Sequence, residues 1–199
     1  MQHMLELKEL LLSSPLKIVI TTHQKPDADA LGSSLALFNY LKKYGHDVYV
    51  VTPTDYPRYL FWMPGNNCVI NYEEDVSTRN KCKELISSAH LIFCLDFSSY
   101  ERINELGPLV AESVAKKVLI DHHLNPSIDA EFKFWDSKSA ATCELIYDLI
   151  VSLGDKDKID INIGECIYAG IMTDTGSFRF PSTSKKVHLI IADLIDIGV

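Results

Sequence analysis

Three short apolar runs in this chain each end in acidic or imidazole residues, and that coincidence constrains the fold more than any other feature. Leu16-Lys17-Ile18-Val19-Ile20-Thr21 leads into Thr22-His23-Gln24-Lys25-Pro26-Asp27-Ala28-Asp29. Leu91-Ile92-Phe93-Cys94-Leu95 leads into Asp96, and Lys117-Val118-Leu119-Ile120 into Asp121-His122-His123. Short apolar, β-branched runs read as strands buried on both faces, the pattern of a parallel sheet covered by helices. Such strands share a direction, so the residues that follow them gather along one edge, where open α/β sheets bind ligands. Four carboxylates and three imidazoles are therefore expected to converge on one crevice.

The segments between these runs fit the same plan. Leu31, Leu35, Phe38 and Leu41 share one helical face that stops at Gly45, and Val48-Tyr49-Val50-Val51 reads as another strand. From Thr52 to about Val76 the prolines at 53, 57 and 64 and Gly65 predict mostly loop, with at most a short helical turn. Helices are expected over Lys81–Ser88 and Leu106–Ala111, and Phe132-Lys133-Phe134 as a short edge strand. Cys143 to Leu153, Ile163 to Ile171 and Val187 to Leu194 repeat apolar residues at helical spacing. The expected fold class is α/β: a mostly parallel β-sheet with helices on both faces. No repeat or linker interrupts it, so residues 1–199 read as one folded unit.

Charge and cysteine content narrow the setting. The net charge of −8 argues against tight duplex DNA binding, which rests on Lys and Arg at phosphates. The five cysteines form no CxxC pair and read as buried thiols of a reducing compartment. Neither a signal peptide nor an apolar run of ~20 residues is evident. A cytoplasmic protein without a membrane partner is the expectation.

Clustered carboxylates repel unless a counter-charge joins them, and divalent cations are the simplest remedy. A mixed His and Asp set without Cys suits Mn²⁺, Zn²⁺ or Fe²⁺ better than Mg²⁺ or Ca²⁺. A turn held by Pro26 would aim His23, Asp27 and Asp29 inward, and the small Gly32, Ser33 and Ser34 would leave room for a phosphate at a helix N-terminus. Asp174, at the end of the Ile163–Ile171 helix with Gly176 as its stop, is a further acid that local pattern does not direct to the crevice. Each acid also has a plainer reading: Asp27 and Asp29 as helix caps, Asp96 as a turn residue. Arg179 is the first candidate for a phosphate contact, ahead of Lys25, Lys138, Lys185 and Lys186. Phe61-Trp62-Met63-Pro64-Gly65 reads either as cover over the sheet or as a stacking platform for a base. His3, His46, His90 and His188 read as surface residues.

His23-x-x-x-Asp27-x-Asp29-Ala-x-Gly32-Ser33, the strand-end Asp96, Asp121-His122-His123 and Asp174-Thr-Gly176 stand in the order of the four motifs of the DHH phosphoesterase family. The chain resembles its RecJ-like members, most of all the bacterial oligoribonucleases that also dephosphorylate 3′-phosphoadenosine 5′-phosphate (pAp). The resemblance implies a catalytic domain over 1–199, with a C-terminal substrate-binding domain absent from this chain. It implies two Mn²⁺ ions, other divalent cations being alternatives. His23, Asp27 and Asp96 would hold one, and Asp29, Asp96, His122 and Asp174 the other. His123 and Asp121 would be catalytic, His123 facing the scissile phosphate and Asp121 orienting an imidazole. Ser33 and Arg179 would meet substrate. The implied activity is hydrolysis of short oligonucleotides or pAp by in-line attack of water between two metals. A manganese-dependent inorganic pyrophosphatase or exopolyphosphatase, and a nucleotide-binding module without turnover, remain the alternatives. The implied partner is a small nucleotide or short oligonucleotide, and a homodimer stays open.

Overall fold

The computed structural model describes residues 2–199, with side chains from Met4 onward, so the reading of His3 as a surface residue falls outside the described side chains. Six strands form one sheet: β1 (Lys17–Thr22), β2 (Asp47–Thr52), β3 (Val69–Asn71), β4 (Leu91–Leu95), β5 (Lys116–Asp121) and β6 (Phe132–Trp135). Their order is β3-β2-β1-β4-β5-β6 and every pairing is parallel. The helices are α1 (Gln2–Ser13), α2 (Ala28–Lys42), α3 (Val76–Ser87), α4 (Leu106–Glu112), α5 (Thr142–Ser152), α6 (Ile161–Asp174) and α7 (Lys185–Asp196).

Strand alternation divides the core in two. Ile18, Ile20, Val50, Phe93, Leu95, Val118 and Ile120 pack toward α1, α2, α5, α6 and α7. Val19, Val51, Ile92, Cys94 and Leu119 pack toward α3 and α4 on the other face. Residues i and i+2 share a face, so runs apolar at every position cover both.

Two features of this sheet place the site. The strand order reverses between β1 and β4, and ligands of doubly wound sheets bind at that switch point, outside the carboxyl ends of the strands. The register then levels three strand ends: Thr22 pairs with Leu95, and Leu95 with Ile120. His23, Asp96 and Asp121, each one residue further on, leave the sheet at the same height.

Several expectations need correction. The 52–76 segment is not all loop: it carries β3 at the sheet edge and two single 3₁₀ turns, Arg58–Leu60 and Asn66–Cys68. A strand of three residues is too short to show a period. His46 is buried, not on the surface, and its Nδ1 accepts the Leu16 N–H at 3.1 Å. His90 and His188 are exposed as expected. Within the Phe61–Gly65 segment Met63 enters the core, while Phe61 and Trp62 face outward, beside the buried Leu60 and the exposed Tyr59 that precede it.

Candidate metal centre

The loop after β1 supplies the first group. Asp27 is the N-cap of α2, its Oδ1 accepting the N–H groups of Asp29 and Ala30 at 3.0 Å. Its Oδ2 stands 3.8 Å from His23 Nε2. One carboxylate thus serves both as a helix cap and as a donor to the crevice, and the two sequence readings of Asp27 are compatible. His23 Nδ1–H donates to the Gln24 carbonyl at 2.8 Å, which leaves Nε2 as the free ring nitrogen. That nitrogen faces Asp96 Oδ2 at 3.5 Å.

Asp29 is fully buried on the first turn of α2. Both its oxygens are taken by the start of α5: Thr142 N–H donates to Oδ2 at 2.6 Å and Cys143 N–H to Oδ1 at 2.8 Å. The N-cap of α5 is Ala141, which has no side chain to satisfy those N–H groups, so Asp29 does so from another helix. The fit is tight. A Cβ on Gly170 of α6 would lie 2.3 Å from Cys143 Sγ and 2.8 Å from Asp29 Oδ1, and one on Gly32 would lie 2.5 Å from the Cys166 carbonyl. The small residues of α2 and α6 therefore permit close helix packing rather than phosphate access. Ser33 is a correction of the same kind: it is fully buried and its hydroxyl donates to the Ala30 carbonyl at 3.2 Å.

Asp96 lies at the centre. Its φ is +64°, a left-handed conformation that costs a non-glycine residue about 1–3 kcal/mol and clusters at functional sites. Its N–H still reaches the Ile120 carbonyl at 3.0 Å, so β4 ends there and the carboxylate turns inward. Oδ1 accepts the Thr142 hydroxyl at 2.8 Å and lies 3.5 Å from His122 Nε2. His122 Nδ1–H points to the Ser139 carbonyl at 3.2 Å, again freeing Nε2, which meets Asp174 Oδ2 at 3.5 Å and Asp29 Oδ2 at 3.9 Å. Asp174, the last residue of α6, thus joins the crevice that its local pattern did not predict. Asp121 Oδ1 accepts both the N–H and the Nδ1–H of His123, at 3.1 and 2.8 Å.

Three donor groups result: His23, Asp27 and Asp96; Asp29, His122 and Asp174; and Asp96, His122 and His123. Within each, the ligand atoms lie within 4.8 Å of one another. Ligands at ~2.1 Å from one cation stand ~3.0–3.5 Å apart across a tetrahedral or octahedral edge. The observed 3.5–3.9 Å separations are close to that spacing and too long for strong hydrogen bonds. The chemistry of the set, free imidazole nitrogens facing carboxylates, fits divalent cations.

The titration pattern agrees. Burial pushes Asp29 well above the usual carboxylate range, with the Asp96 and Asp174 charges adding to it. Burial, then Asp96 and Asp27, push Asp174 up to about 7. Burial would also raise Asp96, but His23, His122 and the Thr142 hydroxyl outweigh it and bring it below its usual value. His123 is raised, first by its bond to Asp121.

Two of the candidate phosphate contacts have partners within the chain. Arg179 Nε donates to the Gly176 carbonyl at 2.7 Å, and Lys186 pairs with Glu144 and Asp148. Sequence reasoning missed Thr142, whose N–H and hydroxyl touch two carboxylates of the site. The available signal was a helix beginning after Ala140-Ala141 with no capping side chain of its own.

A doubly wound parallel sheet with a carboxylate–imidazole cluster at its switch point defines an α/β domain whose clustered side chains could hold metal ions. Residues 17–171 match the DHH family, N-terminal domain, and the chain belongs to that family. It is 36% identical over 183 residues to the bifunctional oligoribonuclease and PAP phosphatase NrnA of Thermus thermophilus, covering 92% of this chain and 50% of that protein. With the Bacillus subtilis protein of the same name it shares 29% identity over 182 residues, 89% of this chain and 52% of the relative. The chain thus spans about half the length of the curated relatives it matches. The crystal structure of an exopolyphosphatase-related protein from Bacteroides fragilis superposes with a TM-score of 0.94 at 35% identity, over the whole of this chain and 57% of the other. Exonuclease RecJ bound to manganese, at 14% identity and a TM-score of 0.58, shares the fold over 98% of this chain and 46% of its own. No helix among the described residues is long and apolar enough to cross a membrane.

Proposed function

We propose that this chain is the catalytic part of a phosphoesterase that uses two Mn²⁺ ions to hydrolyse phosphate esters of short oligonucleotides or of pAp. The observation that carries the reading is a pair of adjacent donor groups, His23–Asp27–Asp96 and Asp29–His122–Asp174, joined by the contact of Asp96 with both histidines. Two cations held there would supply positive charge to the phosphoryl oxygens and lower the pKa of an attacking water. Asp96 stands where one carboxylate serves both groups. His123 keeps its Nε2 free, because Asp121 engages Nδ1, and its side chain is 40% exposed at the mouth. In the protonated ring, which the bond to Asp121 favours, that nitrogen would donate to a phosphoryl oxygen as negative charge builds. The relatives' names support the substrate class.

Residues 1–199 act in this reading as the catalytic domain, and surfaces beyond them close over the open mouth, where Asp27 is 58% exposed. The protein would act in the cytoplasm on small nucleotides rather than duplex DNA; light scattering would read whether it does so as a homodimer.

The test is phosphate or mononucleotide release from pAp and a ribodinucleotide with Mn²⁺, beside pyrophosphate and polyphosphate. The expected result is Mn²⁺-dependent turnover of the nucleotides that Asp96→Ala abolishes. Retained activity in Asp96→Ala contradicts the mechanism. Turnover confined to pyrophosphate or polyphosphate replaces the substrate class.

A further inference from the structure

His123 sits in a loop that belongs to neither helix nor strand, yet its ring needs a fixed direction. Asp121 holds the ring through Nδ1 and the backbone through the N–H. The remaining freedom is rotation of the peptide after His123, which carries its carbonyl. That carbonyl accepts the indole N–H of Trp135 at 2.6 Å. Trp135 is the last residue of β6, the edge strand, and pairs in register with Asp121. The Asp136 N–H reaches the Asp121 carbonyl at 3.3 Å, which ties the two strand ends together again just past the pair. One edge strand thus braces the residue that orients His123 and, through its indole, His123 itself.

Trp135 is 43% exposed and its bond to the His123 carbonyl lies at the surface. A surface indole N–H can donate to water, so burial does not force it onto a protein carbonyl. Its bond to the His123 carbonyl is therefore a specific placement rather than the forced satisfaction of a buried donor.

We propose that Trp135 is a positioning residue for the reaction, its indole N–H locking the His123 peptide so that the His123 Nε2 is aimed at the phosphoryl group. The inference rests on the phosphoesterase reading above. Trp135 touches neither substrate nor cation; it acts through His123. Misplacement of a catalytic group by about 1 Å can cost up to ~100-fold, and loss of a supporting partner typically ~10–100-fold.

The test compares Mn²⁺-loaded wild-type protein with Trp135→Phe, which keeps an aromatic ring and removes the donor. The expected result on pAp is a fall in kcat of about tenfold or more, with KM, Mn²⁺ affinity and melting temperature nearly unchanged. An unchanged kcat overturns the proposal, and so does a parallel loss of stability or metal affinity, which would make Trp135 plain scaffold. Should Trp135→Phe fail to fold, the wild-type protein decides. The chain has two tryptophans, and Trp62→Phe leaves the indole proton of Trp135 alone in the NMR spectrum. Slow solvent exchange of that proton, and a shift when a non-hydrolysable pAp analogue binds, support the brace; exchange at the rate of a free indole overturns it. A wild-type protein without turnover counts against the phosphoesterase reading, and the indole measurement then decides the brace separately.

Discussion

Thr142 binds two carboxylates of the site at once: its hydroxyl donates to Asp96 at 2.8 Å and its N–H to Asp29 at 2.6 Å. One residue at the start of α5 thereby sets the distance between an acid from the end of β4 and an acid from α2. Thr142→Val removes the hydroxyl and keeps the N–H and the shape. The Asp96 carboxylate then loses one of the bonds that fix its orientation. Mn²⁺ affinity should fall about tenfold with the fold intact, as read by calorimetric titration. An affinity equal to wild type would show that backbone geometry alone orients Asp96.

The acid cluster predicts how cation binding depends on pH. The carboxyl of Asp174 is raised to about 7 by burial and by Asp96 and Asp27. A carboxyl raised in the folded state favours folding where it is protonated, so in metal-free protein this contribution fades as pH climbs from about 4 through 7. A cation competes with that proton and gains over the same window. The rise in melting temperature produced by Mn²⁺ should therefore be larger at pH 8 than at pH 6. Calorimetry near pH 6 in buffers of different ionisation enthalpy should show proton release on binding. A Mn²⁺ effect that is flat between these pH values would count against the cluster as the binding site.

Helix contact at the site leaves no room for a methyl group. Gly170→Ala would place Cβ 2.3 Å from Cys143 Sγ and 2.8 Å from Asp29 Oδ1. Overpacking of this kind costs about 1–3 kcal/mol, and the shift falls on Asp29. Urea unfolding should show the loss, and Mn²⁺ affinity should fall with it. Gly32→Ala, which meets the Cys166 carbonyl at 2.5 Å, should lose stability by a similar amount. A full-strength metal site in a destabilised Gly170→Ala protein would separate helix packing from ligand placement.

The strand ends were legible because a parallel sheet converts sequence position into a shared edge. His23, Asp96 and Asp121 needed only that β1, β4 and β5 run together. Asp174 needed more. It ends a helix, and only the packing of α6 on α2 brings it to His122, a contact that no local period encodes. Thr142 was hidden for the opposite reason. Its bonds run from a backbone N–H and a hydroxyl, groups that almost every helix start offers, to acids 113 and 46 residues earlier. Ser33 misled because smallness has two uses: it opens space for a ligand or it lets helices approach, and here Gly32 and Gly170 show the second. His46 misled because a polar ring beside Gly45 looks like a turn residue, whereas the Leu16 N–H gives it a buried partner.

A second polar cluster provides a control on stability away from the site. Asp155, 9% exposed, accepts the hydroxyl of Tyr40 at 2.6 Å, the hydroxyl of Tyr44, and the ammonium of Lys158 at 2.7 Å. Burial would raise its carboxyl, but Lys158 and the two tyrosines outweigh it and hold it below the usual range. A carboxyl depressed in the folded state contributes stability at neutral pH, and that contribution is lost as acid protonates it, at or below about pH 4. Asp155→Ala leaves the hydroxyls of Tyr40 and Tyr44 without this acceptor and the Lys158 ammonium with only the Tyr44 hydroxyl, at 2.7 Å. The expected cost is about 2–3 kcal/mol at pH 7 by urea unfolding, with the difference from wild type shrinking toward pH 3. Asp155 lies past the far end of α5, whose 11 residues at about 1.5 Å each separate it from Thr142 by ~16 Å. Mn²⁺ affinity and kcat should therefore stay at wild-type values in Asp155→Ala measured well below its melting temperature. A fall in either would reveal that α5 transmits strain from one end to the other, and Thr142 is the residue through which that strain would reach Asp96.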